Sequence, residues 1–177
     1  MKSIYLIVPG LGNSGPQHWQ TLWEKEFPDK FTRIQQENWD SPNCSDWIEN
    51  IENEVCKHQV ENVVLIAHSL GCTSVAHWAK QFQTKIKGAF LVAPSDCEAE
   101  TYTFDTQGFS PIPLEKLPFK SMVIASTNDY YVSLERADFF AKSWGSELVN
   151  VGAKEHINAD AGFGEWQEGI DFLKKLD

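Results

Sequence analysis

Residues 63–71 read V-V-L-I-A-H-S-L-G, and residues 72–78 continue C-T-S-V-A-H-W. The apolar run from Val63 to Ile66 suits a strand buried on both faces. It ends on His68 and Ser69, after which Val75, Trp78, Ala79 and Phe82 fall on one face of a helix. A serine held on a tight strand-to-helix turn is the arrangement of the G-x-S-x-G nucleophile elbow, where small residues flank the serine because the two backbones approach closely. Here Ala67 stands in place of the first glycine and Gly71 keeps the second. One methyl is a small added bulk, so the turn is still expected. The plain alternative is a buried strand running into a polar loop.

Outward from this point, strand-length apolar runs recur at residues 4–8, 31–35, 62–67, 86–92, 121–126 and 147–151, the second and last being weaker. Helical stripes lie between them. Pro16 is placed to open a helix whose Trp19, Leu22, Trp23 and Phe27 share a face. Trp47, Ile48, Ile51 and Val55 form the next stripe, and Leu134, Ala137, Phe140, Ala141 and Trp144 another, with Gly145 where a C-terminal stop is expected. Trp166, Ile170 and Leu173 form the last. These aromatic stripes read as core. Strand–helix alternation predicts an α/β fold with a mainly parallel sheet and helices on both faces. Ligands of such sheets bind at the carboxyl ends of the strands, so the loops after the strands are where chemistry is sought.

The 177 residues fit one domain spanning 1–177, with surface enough to bury a core unaided by disulfides or metal. Net charge is −10, from 25 acidic and 15 basic residues, and there is no basic run; nucleic acid is therefore not an expected partner. The four cysteines, Cys44, Cys56, Cys72 and Cys97, lack the C-x-x-C spacing of zinc or redox sites. The N-terminal apolar stretch is broken early by Pro9-Gly10, unlike a signal peptide, and no segment reaches the roughly 18 apolar residues of a membrane span. A cytoplasmic protein with free thiols and no membrane association is expected.

If Ser69 is a nucleophile it needs a base, usually a histidine whose tautomer is fixed by a third group. His58 and His77 read as helical, and His68 is too close along a strained turn to bond productively with the serine. His156, in A-K-E-H-I-N-A-D, follows the last strand and can reach Ser69; His18 is its rival. Asp129, in S-T-N-D-Y-Y-V-S, follows the strand at 121–126 and is the expected acid. Its Asn-Asp pair also suits a plain turn, and Asp96, Asp138 and Asp160 are alternatives. The order Ser69, Asp129, His156 is that of α/β-hydrolases. The N–H of Leu70, next after the serine, and one from the loop P-G-L-G-N-S-G, Leu11 before Gly12, would form the oxyanion hole. That loop lacks the spacing of a P-loop or a dinucleotide site. Cys72 falls past the elbow and is a weak nucleophile. His18 and Trp19 beside this loop, and Tyr102, Phe104 and Phe109 on the long connection after residue 92, are candidates to wall a substrate site; each also suits packing. That connection reads equally as a solvated detour or a functional loop.

The stretches V-P-G-L-G-N-S-G-P-Q-H-W, A-H-S-L-G, S-T-N-D-Y-Y-V-S-L-E-R-A and H-I-N-A-D-A-G-F-G-E-W span nearly the whole chain. In them the sequence resembles the small serine hydrolases related to retinoblastoma-binding protein 9. The resemblance implies a compact α/β-hydrolase fold with a six-stranded parallel sheet, no large lid domain, and a triad of Ser69, Asp129 and His156. Glu155 stands before the histidine where this family would have Gly. Residues 70–74, L-G-C-T-S, lack the acid of an L-x-C-x-E motif, so binding of retinoblastoma protein is not expected to transfer. The expected partner is a small ester or amide substrate, cleaved without metal or organic cofactor. Aminopeptidase-like or thioesterase chemistry with the same residues, and a non-catalytic binding module of the same fold, are the alternatives.

Overall fold

The structure is a computed structural model and describes residues 3–176. Six parallel strands form one sheet in the order β2-β1-β3-β4-β5-β6: β1 (Ile4–Val8), β2 (Phe31–Arg33), β3 (Val63–His68), β4 (Gly88–Val92), β5 (Lys120–Ala125) and β6 (Glu147–Asn150). Four α-helices lie between strands, α1 (Trp19–Glu26), α2 (Cys44–Val55), α3 (Leu70–Phe82) and α4 (Leu134–Trp144), and α5 (Gln167–Leu173) follows β6. This is the expected α/β-hydrolase architecture, and among the described residues no separate lid domain covers the carboxyl edge of the sheet.

The central strands read as unbroken apolar runs because both of their faces are covered. Val63, Leu65 and Ala67 of β3 face a core built with Trp47 and Ile51 of α2, Val75 and Trp78 of α3, and Phe140 and Trp144 of α4. Val64 and Ile66 face the opposite layer, where Trp19 and Trp23 of α1 meet Phe90 of β4, Trp166 just before α5, and Leu173 of α5. Each large side chain buried this way stabilises the fold by about 1.5–3 kcal/mol relative to exposure. The strand order reverses between β1 and β3, so the crevice at their carboxyl ends is the topological switch point.

Two of the boundaries that differ from the sequence reading have a clear physical reason. Helix α1 begins at Trp19, three residues after Pro16. The chain first makes a turn in which the His18 N–H bonds the Gly15 carbonyl at 3.0 Å, and His18 then caps the helix by accepting the Gln20 N–H on Nδ1 at 3.2 Å. Strand β2 ends at Arg33. It lies at the sheet edge, where one further bond, Ile34 N–H to the Ile7 carbonyl at 2.9 Å, precedes its departure.

Residues 93–119, between β4 and β5, contain no regular helix or strand but are not a solvated detour. Phe109, Ile112 and Leu117 insert into the α2–α4 layer. Arg136 of α4 grips Asp96 through two bonds, Nε to Oδ2 at 2.8 Å and Nη2 to Oδ1 at 3.2 Å, and also pairs with Glu98. The connection is thereby tied to the body of the molecule while Tyr102 and Phe104 remain at its surface-facing bend.

Candidate active site

Ser69 lies between β3 and α3 at φ 56° and ψ −125°, a conformation rare for any residue but glycine. Its N–H is held by the Val92 carbonyl at 3.0 Å and its carbonyl by the Cys72 N–H at 3.0 Å. The turn depends on the glycines around it. A Cβ on Gly71 would lie 2.3 Å from the Val8 carbonyl oxygen and 2.7 Å from that of Pro9, and one on Gly10 would lie 2.8 Å from the Ser69 Cβ. Ala67 is fully buried, and its methyl is accommodated where the usual elbow has glycine. Gly71→Ala is therefore expected to cost about 3 kcal/mol or more, a drop in Tm of roughly 6–12 °C for a chain of this size. A calorimetric scan reads this directly, and an unchanged Tm would mean that α3 does not need to approach β1 so closely.

His156 reaches the serine from the loop after β6. Its Nε2 lies 2.9 Å from Ser69 Oγ, and its Nδ1 lies 2.9 Å from both Asp129 Oδ1 and Oδ2. A carboxylate only accepts, so Nδ1 carries the ring proton and Nε2 is left to accept from the serine hydroxyl. The Asp129 side chain is wholly shielded from solvent, and its Oδ1 also accepts the Tyr131 N–H at 2.8 Å. The two loops are stapled together: Ser126 Oγ accepts the Lys154 N–H at 2.8 Å, and Asn128 Oδ1 accepts the Glu155 N–H at 2.8 Å. Glu155 adopts φ 49°, in the left-handed region that glycine enters freely, which is the physical reason to expect glycine there. The competing acids are elsewhere engaged: Asp96 by Arg136 and Asp138 by Lys142, while Asp160 is exposed.

His68 makes no hydrogen bond to Ser69, but it holds the loop that carries His156. Its Nε2–H donates to the His156 backbone carbonyl at 2.9 Å, and the indole N–H of Trp19 holds the next carbonyl, that of Ile157, at 2.9 Å. The rings of His18, His68 and His156 follow one another at centroid distances of 4.7 and 4.8 Å. Burial, followed by the Arg33 charge and His156, lowers the His18 pKa to about 3. Burial, with His18 and His156 as lesser causes, pushes the fully enclosed His68 well below the ordinary imidazole value, against the opposing effect of its hydrogen bond to the His156 carbonyl. Both rings are therefore neutral in ordinary buffers. Burial raises the Cys72 thiol well above its ordinary value, and its Sγ donates to the Val92 carbonyl, so it supplies no thiolate.

A cleft of about 200 Å³ opens over Ser69 and His156. Leu11, His18, Tyr102 and Phe104 line it as expected, and so does Tyr131, whose ring stands edge-on to His156 at 4.6 Å. Three expected residues do not take their predicted places. Trp19 is fully buried and serves the His156 loop from behind. Phe109 is 1% exposed and packs against Trp47 and His77 in the core. The Gly12 N–H is taken by the Trp39 carbonyl at 2.8 Å, so of the two candidates in that loop only Leu11 keeps its N–H unpaired among the described residues. Neither the Leu11 nor the Leu70 N–H has an acceptor among the described residues. Leu70 is also the first residue of α3, where unpaired N–H groups and the helix dipole favour negative charge. Two polar contacts were missed altogether: Ser95, whose Oγ lies 2.8 Å from Ser69 Oγ, and the His68 bond described above.

Together the sheet topology and, at its carboxyl edge, a serine bonded to a histidine that is in turn bonded to an aspartate define the α/β-hydrolase class. More particularly, the chain belongs to the serine hydrolase family, whose sequence model, "Serine hydrolase", matches residues 5–175. Among solved structures, a YdeN-like hydrolase from Pectobacterium atrosepticum is similar, with 36% identity over 99% of this chain and 90% of that one, at a TM-score of 0.87. The ydeN gene product of B. subtilis is 22% identical, with 99% and 98% of the two chains covered and a TM-score of 0.81. Est1E from Butyrivibrio proteoclasticus, solved with ferulic acid, shares the fold at 13% identity, over 98% and 89% of the chains, with a TM-score of 0.68. No curated protein sequence matches significantly. Among the described residues no helix is long and apolar enough to cross a membrane.

Proposed function

We propose that this chain hydrolyses small carboxylic esters through an acyl-enzyme formed on Ser69. The observation that carries the reading is the unbroken line of hydrogen bonds from Ser69 Oγ through His156 to Asp129, each 2.9 Å long. His156 Nε2 takes the serine proton as Oγ attacks the carbonyl carbon, and Asp129 stabilises the imidazolium that forms. The Leu11 and Leu70 N–H groups receive the oxyanion, each such donor contributing on the order of 3 kcal/mol to transition-state stabilisation. The imidazolium then protonates the leaving alkoxide, and water repeats the sequence to release the acid.

The cleft supports a small substrate, since its 200 Å³ falls below the roughly 300 Å³ at which pockets for drug-sized ligands begin. Tyr102, Phe104 and Tyr131 offer an aromatic wall on the side of His156. The half-buried Ser69 is open to a reagent from that side.

A fluorophosphonate probe tests the reading. Stoichiometric labelling of the wild type is expected, with none in Ser69→Ala. Absence of labelling in folded wild-type protein would overturn the hydrolytic role. Labelling that survives Ser69→Ala would move the nucleophile elsewhere.

A further inference from the structure

We propose that Ser95 is a catalytic residue, donating a hydrogen bond to Ser69 Oγ that strengthens as charge develops on that oxygen. This rests on the ester-hydrolysis reading above and adds a member to its machinery. The direction of the bond follows from proton counting. His156 Nδ1 holds its proton toward Asp129, so Nε2 must accept, and the single proton of Ser69 is committed to it. In the contact of 2.8 Å between the two serine oxygens, Ser95 is therefore the donor.

The position of Ser95 is built rather than incidental. Ala93 leaves β4 at φ 49°, a left-handed turn for a residue with a side chain, and its N–H is fixed by the Ile124 carbonyl at 2.8 Å. Pro94 restricts the next step. The Ser95 N–H then reaches the Ser69 carbonyl at 3.4 Å, and Thr73 Oγ1 holds the Ser95 carbonyl at 3.2 Å. Ser95 is 4% exposed, yet it lines the cleft. None of these backbone anchors uses its hydroxyl.

The chemistry asks for such a donor twice. In acylation, the Ser69 proton passes to His156 Nε2, one Oγ lone pair forms the new bond to carbon, and the carbonyl π pair moves onto its oxygen. The Ser95 hydroxyl occupies the other lone pair, where it stabilises alkoxide character before the bond is complete. The tetrahedral intermediate then collapses with loss of the alcohol, protonated by His156. In deacylation, water adds to the ester carbon after giving a proton to His156. The Oγ–C bond breaks with its electron pair returning to Oγ, which the imidazolium reprotonates. Charge again appears on the atom that Ser95 faces. Hydrogen bonds to a charged oxygen are about twice as strong as neutral ones, so the gain falls on the transition states rather than on bound substrate.

The test compares wild type with Ser95→Ala, using p-nitrophenyl acetate in stopped flow and the fluorophosphonate labelling rate. Ser95→Ala is expected to slow the acylation burst, the steady-state kcat and labelling each by roughly 10- to 100-fold, with KM little changed. If Ser95→Ala does not fold, Ser95→Cys keeps the shape and a weaker donor, and is expected to slow all three rates by a smaller factor. Rates in the folded variant within twofold of wild type, or a change in KM alone, would overturn the assignment while leaving the ester-hydrolysis reading intact. Wild type that neither turns over nor labels would instead defeat that reading itself.

Discussion

Asp129→Asn is expected to lower kcat for p-nitrophenyl ester hydrolysis by about 10⁴-fold while the protein stays folded. The Tyr131 N–H donates to Oδ1 at 2.8 Å and will hold the amide oxygen of asparagine at that position. The NH₂ group then takes the place of Oδ2, 2.9 Å from His156 Nδ1. An amide N–H facing Nδ1 makes that nitrogen an acceptor and drives the ring proton to Nε2. Histidine in that tautomer cannot take the serine proton, although every heavy atom stays near its native place. A melting curve close to wild type, alongside the loss of turnover, separates this from unfolding. Activity within tenfold of wild type would mean that His156 is oriented by something other than Asp129.

Acid is expected to destabilise the fold well above the range in which its carboxylates titrate, and His18 and His68 are the cause. Both pKa values lie below the unfolded value of 6.5, His18 at about 3. The unfolded chain therefore binds protons that the folded chain refuses. Stability is full above pH 6.5 and falls as the pH drops toward 3, with a slope approaching about 1.4 kcal/mol per pH unit for each histidine. For His18 alone the whole window amounts to on the order of 5 kcal/mol. His18→Asn keeps a side-chain oxygen to cap α1 and removes the titration. Urea unfolding at pH 4, 5, 6 and 7 is expected to show a steep loss in wild type and a slope shallower by about 1.4 kcal/mol per unit in the variant. Equal stability of wild type at pH 4 and pH 7 would refute this account.

The parts of the fold that were legible in the sequence were those in which one physical signal dominates. Runs such as V-V-L-I announce β3 because a strand buried on both faces has no polar positions to confuse it. The meeting of Ser69, Asp129 and His156 was legible because a parallel sheet sends every strand's carboxyl end to the same edge, so residues on different loops converge by topology alone. Ser95 was not legible: a serine after Ala-Pro is ordinary, and its contact with Ser69 exists only because Ala93 turns through positive φ. The bond of His68 was not legible because its partner is a backbone carbonyl 88 residues away, which leaves no trace in side-chain pattern. Trp19 and Phe109 were assigned to the substrate wall on their nearness to functional loops. An aromatic ring beside a loop suits the core equally well, and here the core took both. Pro16 pointed to an early start for α1 because the capping ability of His18 is not a strong sequence signal.

The bond from His68 to the carbonyl of His156 gives the site a shared mount. His68 is covalently joined to Ser69, so the backbone of His156 is held by the same short segment that carries the serine. The register between Ser69 and His156 is thus held from the β3 side as well as by the Trp19 bond and by the staples between the loops after β5 and β6.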